Sequence, residues 1–194
     1  MRGRTIHLVR HLTTEGAPGA WLDRHELQAW FDTEGERGIV AGARPSAGLR
    51  RLAAASRYLV VSPLGRAQAT AGAVLAGREQ SDRPEVVTDA DLVEIPLPTL
   101  PVPWVRLPLD AWDAACRAVW LLGWSGRVES RGDAFRRARR VAGRLDDLAA
   151  EGPVTAIGHG FTNILVAREL RRRGWSGPRL PDHRNGGTTT FRSR

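Results

Sequence analysis

Arg10 and His11 close the apolar run TIHLV, the segment Ser62-Pro63-Leu64-Gly65-Arg66 follows the run YLVV, and Gly158-His159-Gly160 follows VTAI. Arginines clamp phosphate oxygens through paired, charge-assisted hydrogen bonds. A histidine can attack phosphorus when a backbone carbonyl holds its other ring nitrogen and so fixes the tautomer. A second histidine that donates to a phosphoryl oxygen meets the charge that develops there. Phosphoryl transfer also needs a general acid for the leaving oxygen, and Glu94, in DLVEIPLP, is the best-placed carboxylate by sequence. Asp89 and Asp91 read more simply as solvated loop charges. Each residue alone has an ordinary reading, since an arginine-rich chain places arginines everywhere and a GHG turn serves its glycines. The pattern becomes informative only if one feature of the fold brings all of these residues together.

The surrounding elements supply that feature. Thr5-Val9, Tyr58-Val61 and Val154-Ile157 are short, rich in β-branched residues and free of polar alternation, as strands buried on both faces of a parallel sheet are. Helical segments are predicted over Ser46-Ala55, Gly65-Leu75, Asp133-Ala150 and Phe161-Arg173, the last stopping at Gly174, a natural C′ residue. GTTTF, Gly187-Phe191, reads as a final strand. Helices alternating with strands predict an α/β sandwich on a mostly parallel sheet. In such a sheet ligands bind at the C-terminal strand ends, where following helices also point their N-termini. Three strand ends thus deliver two arginines and two histidines to one anion site.

The middle of the chain differs. EIPLPTLPVPWVRLPLD, Glu94-Asp110, carries five prolines and predicts neither a regular helix nor a central strand. A helix-like stretch, Ala111-Leu122, follows. Residues 95–130 read as a Pro/Trp-rich cap over one end of the sheet, in which Trp104, Trp112, Trp120 and Trp124 either wall a pocket or pack the cap onto the sheet. His7 reads as a sheet-face residue, His25 and His183 as surface or loop residues.

The 194 residues suit one domain, 1–194, with a substantial core. No apolar stretch is long enough to span a bilayer and no signal-peptide pattern opens the chain, so the expected location is the cytoplasm, without a membrane partner. The single cysteine, Cys116, excludes an internal disulfide and a cysteine zinc cluster, and reads as a small buried thiol on a helix. All 29 basic residues are arginine. The net charge of +8 suits an anionic ligand, although a codon bias towards arginine explains most of it. The clusters Arg136-Arg137, Arg139-Arg140 and Arg171-Arg173 lie on helices without interleaved aromatic residues, and no nucleic-acid partner is assigned.

VRH at the first strand end, SPLGRAQATA, the glutamate of VEIPLP and the late GHG together resemble the histidine phosphatase superfamily, also called phosphoglycerate mutase-like, and GHGFTNILVARELRRRGWSGP resembles its small bacterial branch. Order and spacing match over nearly the whole chain. The resemblance implies a three-layer α/β/α fold and phosphoryl transfer without a metal or other cofactor. It makes His11 the nucleophile, with Arg10, Arg66 and His159 holding the phosphoryl oxygens. Glu94 would protonate the leaving group and later help to activate water. Thr14 falls where the family often has a threonine at the substrate. The long insertion of true mutases is not recognisable, which favours a phosphatase of a small phosphorylated metabolite. Leu12 stands where the family usually has glycine, and is expected to narrow or reshape the pocket. The alternative is a member recruited to a non-phosphatase biosynthetic reaction or to non-catalytic anion binding. An exposed apolar face among the tryptophans would serve a dimer as readily as a ligand, so the oligomeric state stays open.

Overall fold

Successive side chains of the central strands, buried on both faces, alternate between two core clusters with the period of two that an extended chain imposes. Val9, Leu59, Val61 and Ile157 pack on one face, and Ile6, Leu8, Val60, Val154 and Ala156 on the other. A computed structural model describing residues 3–16 and 19–193 shows the origin of that pattern. Strands β1 (Thr5–Arg10), β3 (Tyr58–Val61), β4 (Glu85–Thr88), β6 (Val154–Gly158) and β7 (Thr188–Arg192) form a sheet in the order β4-β3-β6-β1-β7. The first four strands of that order run parallel, and β7 is antiparallel to β1. Helices α2 (Ala47–Ala55) and α3 (Gly65–Leu75) cover one face, and α5 (Arg131–Leu148) and α6 (Gly160–Arg172) the other. The predicted mostly parallel α/β/α layering is what the chain forms.

Helix boundaries follow local capping chemistry. Ser46 accepts the amide of Leu49 and Ser130 that of Asp133, each satisfying an orphan donor of a first turn. The last turn of α6 gives way to Gly174 at φ +89°, in the left-handed region that favours glycine. Strand β4 is absent from the sequence reading, because EVVT lies at the sheet edge and presents Val86 half-exposed.

The cap is wider than residues 95–130. The two-residue strand β5 (Leu107–Pro108) pairs with β2 (Trp21–Leu22), and α4 (Leu109–Leu121) starts two residues before its predicted position. Helix α1 (Arg24–Glu34) begins on an Asp23–Glu26 capping box and belongs to the same structure. Trp112 and Trp120 are wholly buried, their ring N–H groups donating to the carbonyls of Leu22 and Glu129 at 2.8 and 2.9 Å. Trp120 also meets Phe161 of α6 edge-on, with ring centroids 5.2 Å apart. These two tryptophans therefore pack the cap onto the sheet, whereas Trp104 and Trp124 face solvent. Cys116 is fully buried on α4, as expected. No helix among the described residues is long and apolar enough to cross a membrane.

Asp89 and Asp91 are not solvated loop charges. Arg144 bonds both oxygens of Asp89, and Arg140 both oxygens of Asp91. A second clamp lies beside them: buried Arg137 on α5 grips Glu129 with two nitrogens and donates to the carbonyls of Asp91 and Val93. It ties the end of the cap and the segment before Glu94 to one helix.

Candidate active site

Strand register decides what meets at the sheet edge. Arg10 lies beside Gly158, and Val61 beside Ile157, so Arg10-His11, Ser62 and His159 leave three adjacent strands at the same level. Arg66 joins them from the first turn of α3. A cavity of about 430 Å³ opens there, lined by Arg10, His11, Thr14, Arg66 and Glu94, with Trp30 and Phe31 of α1 as its aromatic wall. None of the four cap tryptophans reaches it. A larger, shallower hollow of about 590 Å³ runs beside β7, but its charged lining is only Asp182 and Arg192 and it contains no histidine. The first cavity is the candidate site.

His11 is buried, and its Nδ1 lies 2.7 Å from the carbonyl oxygen of Leu12. A carbonyl only accepts, so Nδ1 carries the proton and Nε2 keeps its lone pair. Burial lowers the pKa of His11 to about 4, with Arg66 and Arg10 acting in the same direction against the Leu12 carbonyl and Glu94. At neutral pH the imidazole is neutral, with an unprotonated Nε2.

His159 lies behind the cavity wall and is completely buried. Its ring centroid is 5.2 Å from that of His11. Arg66 Nε donates to its Nδ1 at 3.1 Å, and its Nε2 is 2.8 Å from Ser62 Oγ. Both ring nitrogens are thus engaged within the protein, and its direct contact here is with Arg66. Burial holds it neutral, with a pKa lowered to about 3. Arg66 is further anchored by the carbonyl of Glu34 at 2.6 Å and its carboxylate at 3.2 Å. Arg10 donates to the carbonyl of His183 at 2.5 Å, and its Nε is buried without a partner among the described residues. A buried donor of this kind is where an anionic oxygen gains most.

Glu94 reaches the N-terminus of α6. It accepts the amides of Ile95 at 3.0, Thr162 at 3.0 and Phe161 at 3.3 Å, together with the Thr162 hydroxyl at 3.1 Å. Burial opposes its charge, but His159 and these amides outweigh burial and hold its pKa at about 2. The α6 amides that were expected to face a ligand therefore serve Glu94 instead. A carboxylate so held is an anion at neutral pH.

Leu12 departs from expectation. Its side chain is buried against Gly186 and outside the cavity lining, and its φ lies outside the left-handed region. Its amide donates to Thr70 Oγ1 at 3.0 Å. It neither strains the backbone nor narrows the pocket. His7 is a sheet-face residue bonded to Thr190, as expected. The sequence reading missed Glu34, which lines the cavity, and the supporting contacts of Thr70 and Thr162. Nothing in the local pattern DTEGE distinguishes Glu34, which reaches the site only through the placement of α1.

A family model described as the histidine phosphatase superfamily (branch 1) matches residues 6–194. None of the curated proteins matches the chain by sequence. Among solved structures, the chain resembles phosphoserine phosphatase from Entamoeba histolytica in complex with phosphoserine, at 14% identity and a TM-score of 0.53, covering 96% of this chain and 89% of that one. It also resembles a mycobacterial glucosyl-3-phosphoglycerate phosphatase, at 21% identity and a TM-score of 0.52, covering 96% and 92%.

Proposed function

The chain belongs to the histidine phosphatase superfamily, and from that premise we propose that it is a metal-free phosphomonoester hydrolase of a small metabolite that works through a phosphohistidine on His11. The observation that carries this reading is the free Nε2 lone pair of a buried, neutral His11 in a cavity walled by two arginines. Arg10 and Arg66 bind the phosphoryl oxygens, and His159 acts through Arg66, which it orients. Thr14 lines the substrate side of the cavity. Nε2 forms a bond to phosphorus as the ester P–O bond breaks, and the leaving oxygen takes a proton that the ester monoanion brings in and Glu94 passes on. Water then attacks phosphorus and gives a proton to Glu94, and the P–N electron pair returns to Nε2. Glu94, at the start of α6, adds its negative charge to a cavity walled by Arg10 and Arg66.

A cavity of about 430 Å³ suits a small metabolite. The phosphatases of similar fold, acting by their names on phosphoserine and glucosyl-3-phosphoglycerate, support a phosphorylated substrate of that size. Phosphate release from a panel of phosphomonoesters in the presence of EDTA, compared between the native protein and His11→Ala, tests the proposal. Turnover that survives chelation and disappears in the variant is expected. A folded protein that binds phosphate but turns over no ester would instead favour non-catalytic anion binding.

A further inference from the structure

Four arginines line the cavity that holds His11, and three of them already have a phosphoryl role or an ion pair. Arg10 and Arg66 wall the phosphoryl site, and Arg66 is paired with Glu34 at 3.2 Å. Arg117 pairs with Asp113, one turn before it on α4, at 2.8 Å. Arg37, just beyond the end of α1, makes no ion pair among the described residues. Its guanidinium is nevertheless fixed in place. It stacks on the Trp30 ring, 3.3 Å from the ring centre. Its Nη2 donates to the Trp30 carbonyl at 3.0 Å and to Thr33 Oγ1 at 2.9 Å. Trp30 is held in turn by Gly16, where a Cβ would lie 2.9 Å from the ring carbon Cη2. Nη1 and Nε make no hydrogen bond among the described residues, which leaves a half-buried cation with spare donors on the cavity wall. An arginine so stacked has already given up the side-chain freedom that binding an anion otherwise costs.

The carboxylates of the cavity are engaged elsewhere. Glu34 is taken by Arg66, Asp113 by Arg117 and Glu94 by the amides at the start of α6. Asp110 lies in the first turn of α4, where the unpaired amides of the helix balance it, and Glu15 is exposed to solvent. Burial lowers the pKa of Arg37, and Glu34 and Arg66 act on it in opposite directions, so it stands on the Arg66 side of the cavity. We propose that Arg37 binds a second anionic group of the substrate, a carboxylate or a second phosphate, at the far end of the leaving group. This rests on the reading of the cavity as a phosphoryl site. With one anion on Arg10 and Arg66 and the other on Arg37, the ester is held at both ends and takes one orientation against His11. Binding energy from the remote group then serves the reaction at phosphorus.

The test uses short alkyl phosphates of graded length that end in a methyl group, a carboxylate, a second phosphate or an ammonium group. Their binding to His11→Ala is measured by titration calorimetry, so that affinity is read in a protein that forms no phosphohistidine. His11→Asn, whose amide can still donate to the Leu12 carbonyl, replaces it if the alanine variant does not fold. At the best length, the carboxylate or the bisphosphate is expected to bind roughly tenfold to a hundredfold more tightly than the methyl-ended phosphate. Whichever of the two gains more identifies the group. Adding R37Q to the same protein is expected to remove that gain, and R37K to retain part of it. No gain for either doubly anionic ester, a larger gain for the ammonium ester, or an R37Q loss equal for every ester overturns the proposal. The last is the result of an arginine that only caps α1. Absence of binding by every ester overturns the phosphoryl-site reading and this assignment together. Turnover by the native protein is read separately: phosphate release from none of these esters overturns the hydrolase reading, while the binding gain alone decides the role of Arg37.

Discussion

The Nε–H of Arg66 donates to Nδ1 of His159 at 3.1 Å, and this one bond fixes the state of the buried imidazole. Arginine only donates, so Nδ1 is unprotonated and the remaining proton sits on Nε2, directed at Ser62 Oγ 2.8 Å away. The histidine aligns the guanidinium that is proposed to hold the phosphoryl group. His159→Ala should therefore weaken binding of inorganic phosphate by roughly tenfold to a hundredfold, the value of a hydrogen bond to a charged group. Titration calorimetry on the folded variant reads this directly. Unaltered affinity would show that Arg66 needs no such alignment.

The two histidines and Glu94 give the protein a defined response to acid. Burial lowers His11 to about 4 and His159 to about 3, from an ordinary 6.5. Below pH 6.5 the unfolded histidines take up protons that the folded ones refuse, so the unfolded state gains and stability falls as pH drops towards 3. Glu94, held at about 2 against an ordinary 4.5, adds a loss in the same direction between those values. Urea midpoints should be flat above pH 6.5 and decline steadily below it. The acid limb of turnover, set by a neutral His11, should lie near pH 4 and not near 6.5.

Leu12→Gly should not raise kcat, because the leucine side chain lies against Gly186 and outside the cavity lining. The variant loses a buried side chain and gains backbone freedom, at a cost of about 3–5 kcal/mol. Denaturant unfolding and kcat measured on one preparation separate the two effects. A gain in kcat would show that the leucine does restrict the site.

Arg137 is a buried structural ion outside the cavity. It is buried, it pairs with Glu129 through two nitrogens, and it caps the carbonyls of Asp91 and Val93. Arg137→Ala leaves Glu129 and two carbonyls without partners, and should cost about 3–5 kcal/mol. The loop that carries Glu94 should loosen first. Hydrogen exchange at the amides of residues 92–95 would detect it, and protection equal to the native protein's would argue against the clamp.

The central strands and the four helices that flank them were legible because each carries its own signal: an unbroken β-branched run, a 3.6-residue periodicity, a capping serine, a glycine at C′. Arg10, His11, Arg66 and His159 were legible because they follow those elements at short, fixed offsets, and Glu94 because its segment VEIPLP resembles the family's pattern. Strand β4 was not, since an edge strand keeps one side wet and its EVVT pattern is not distinctive. The extent of the cap was hidden as well, because the pairing of Trp21–Leu22 with Leu107–Pro108 joins residues more than eighty positions apart.

What the sequence determined by itself was which chemistry-bearing residues end the strands, and hence that arginines and histidines gather at one sheet edge. Tertiary structure alone decided how that site is wired: Glu94 docked on the α6 amides, His159 enclosed behind Arg66, Leu12 turned from the pocket, and Glu34 delivered from a helix whose local sequence gives no hint of it. The reason is physical. Strand ends follow from short-range patterning, whereas protonation and hydrogen-bond direction depend on burial and on partners contributed by distant segments, which only the packed chain defines.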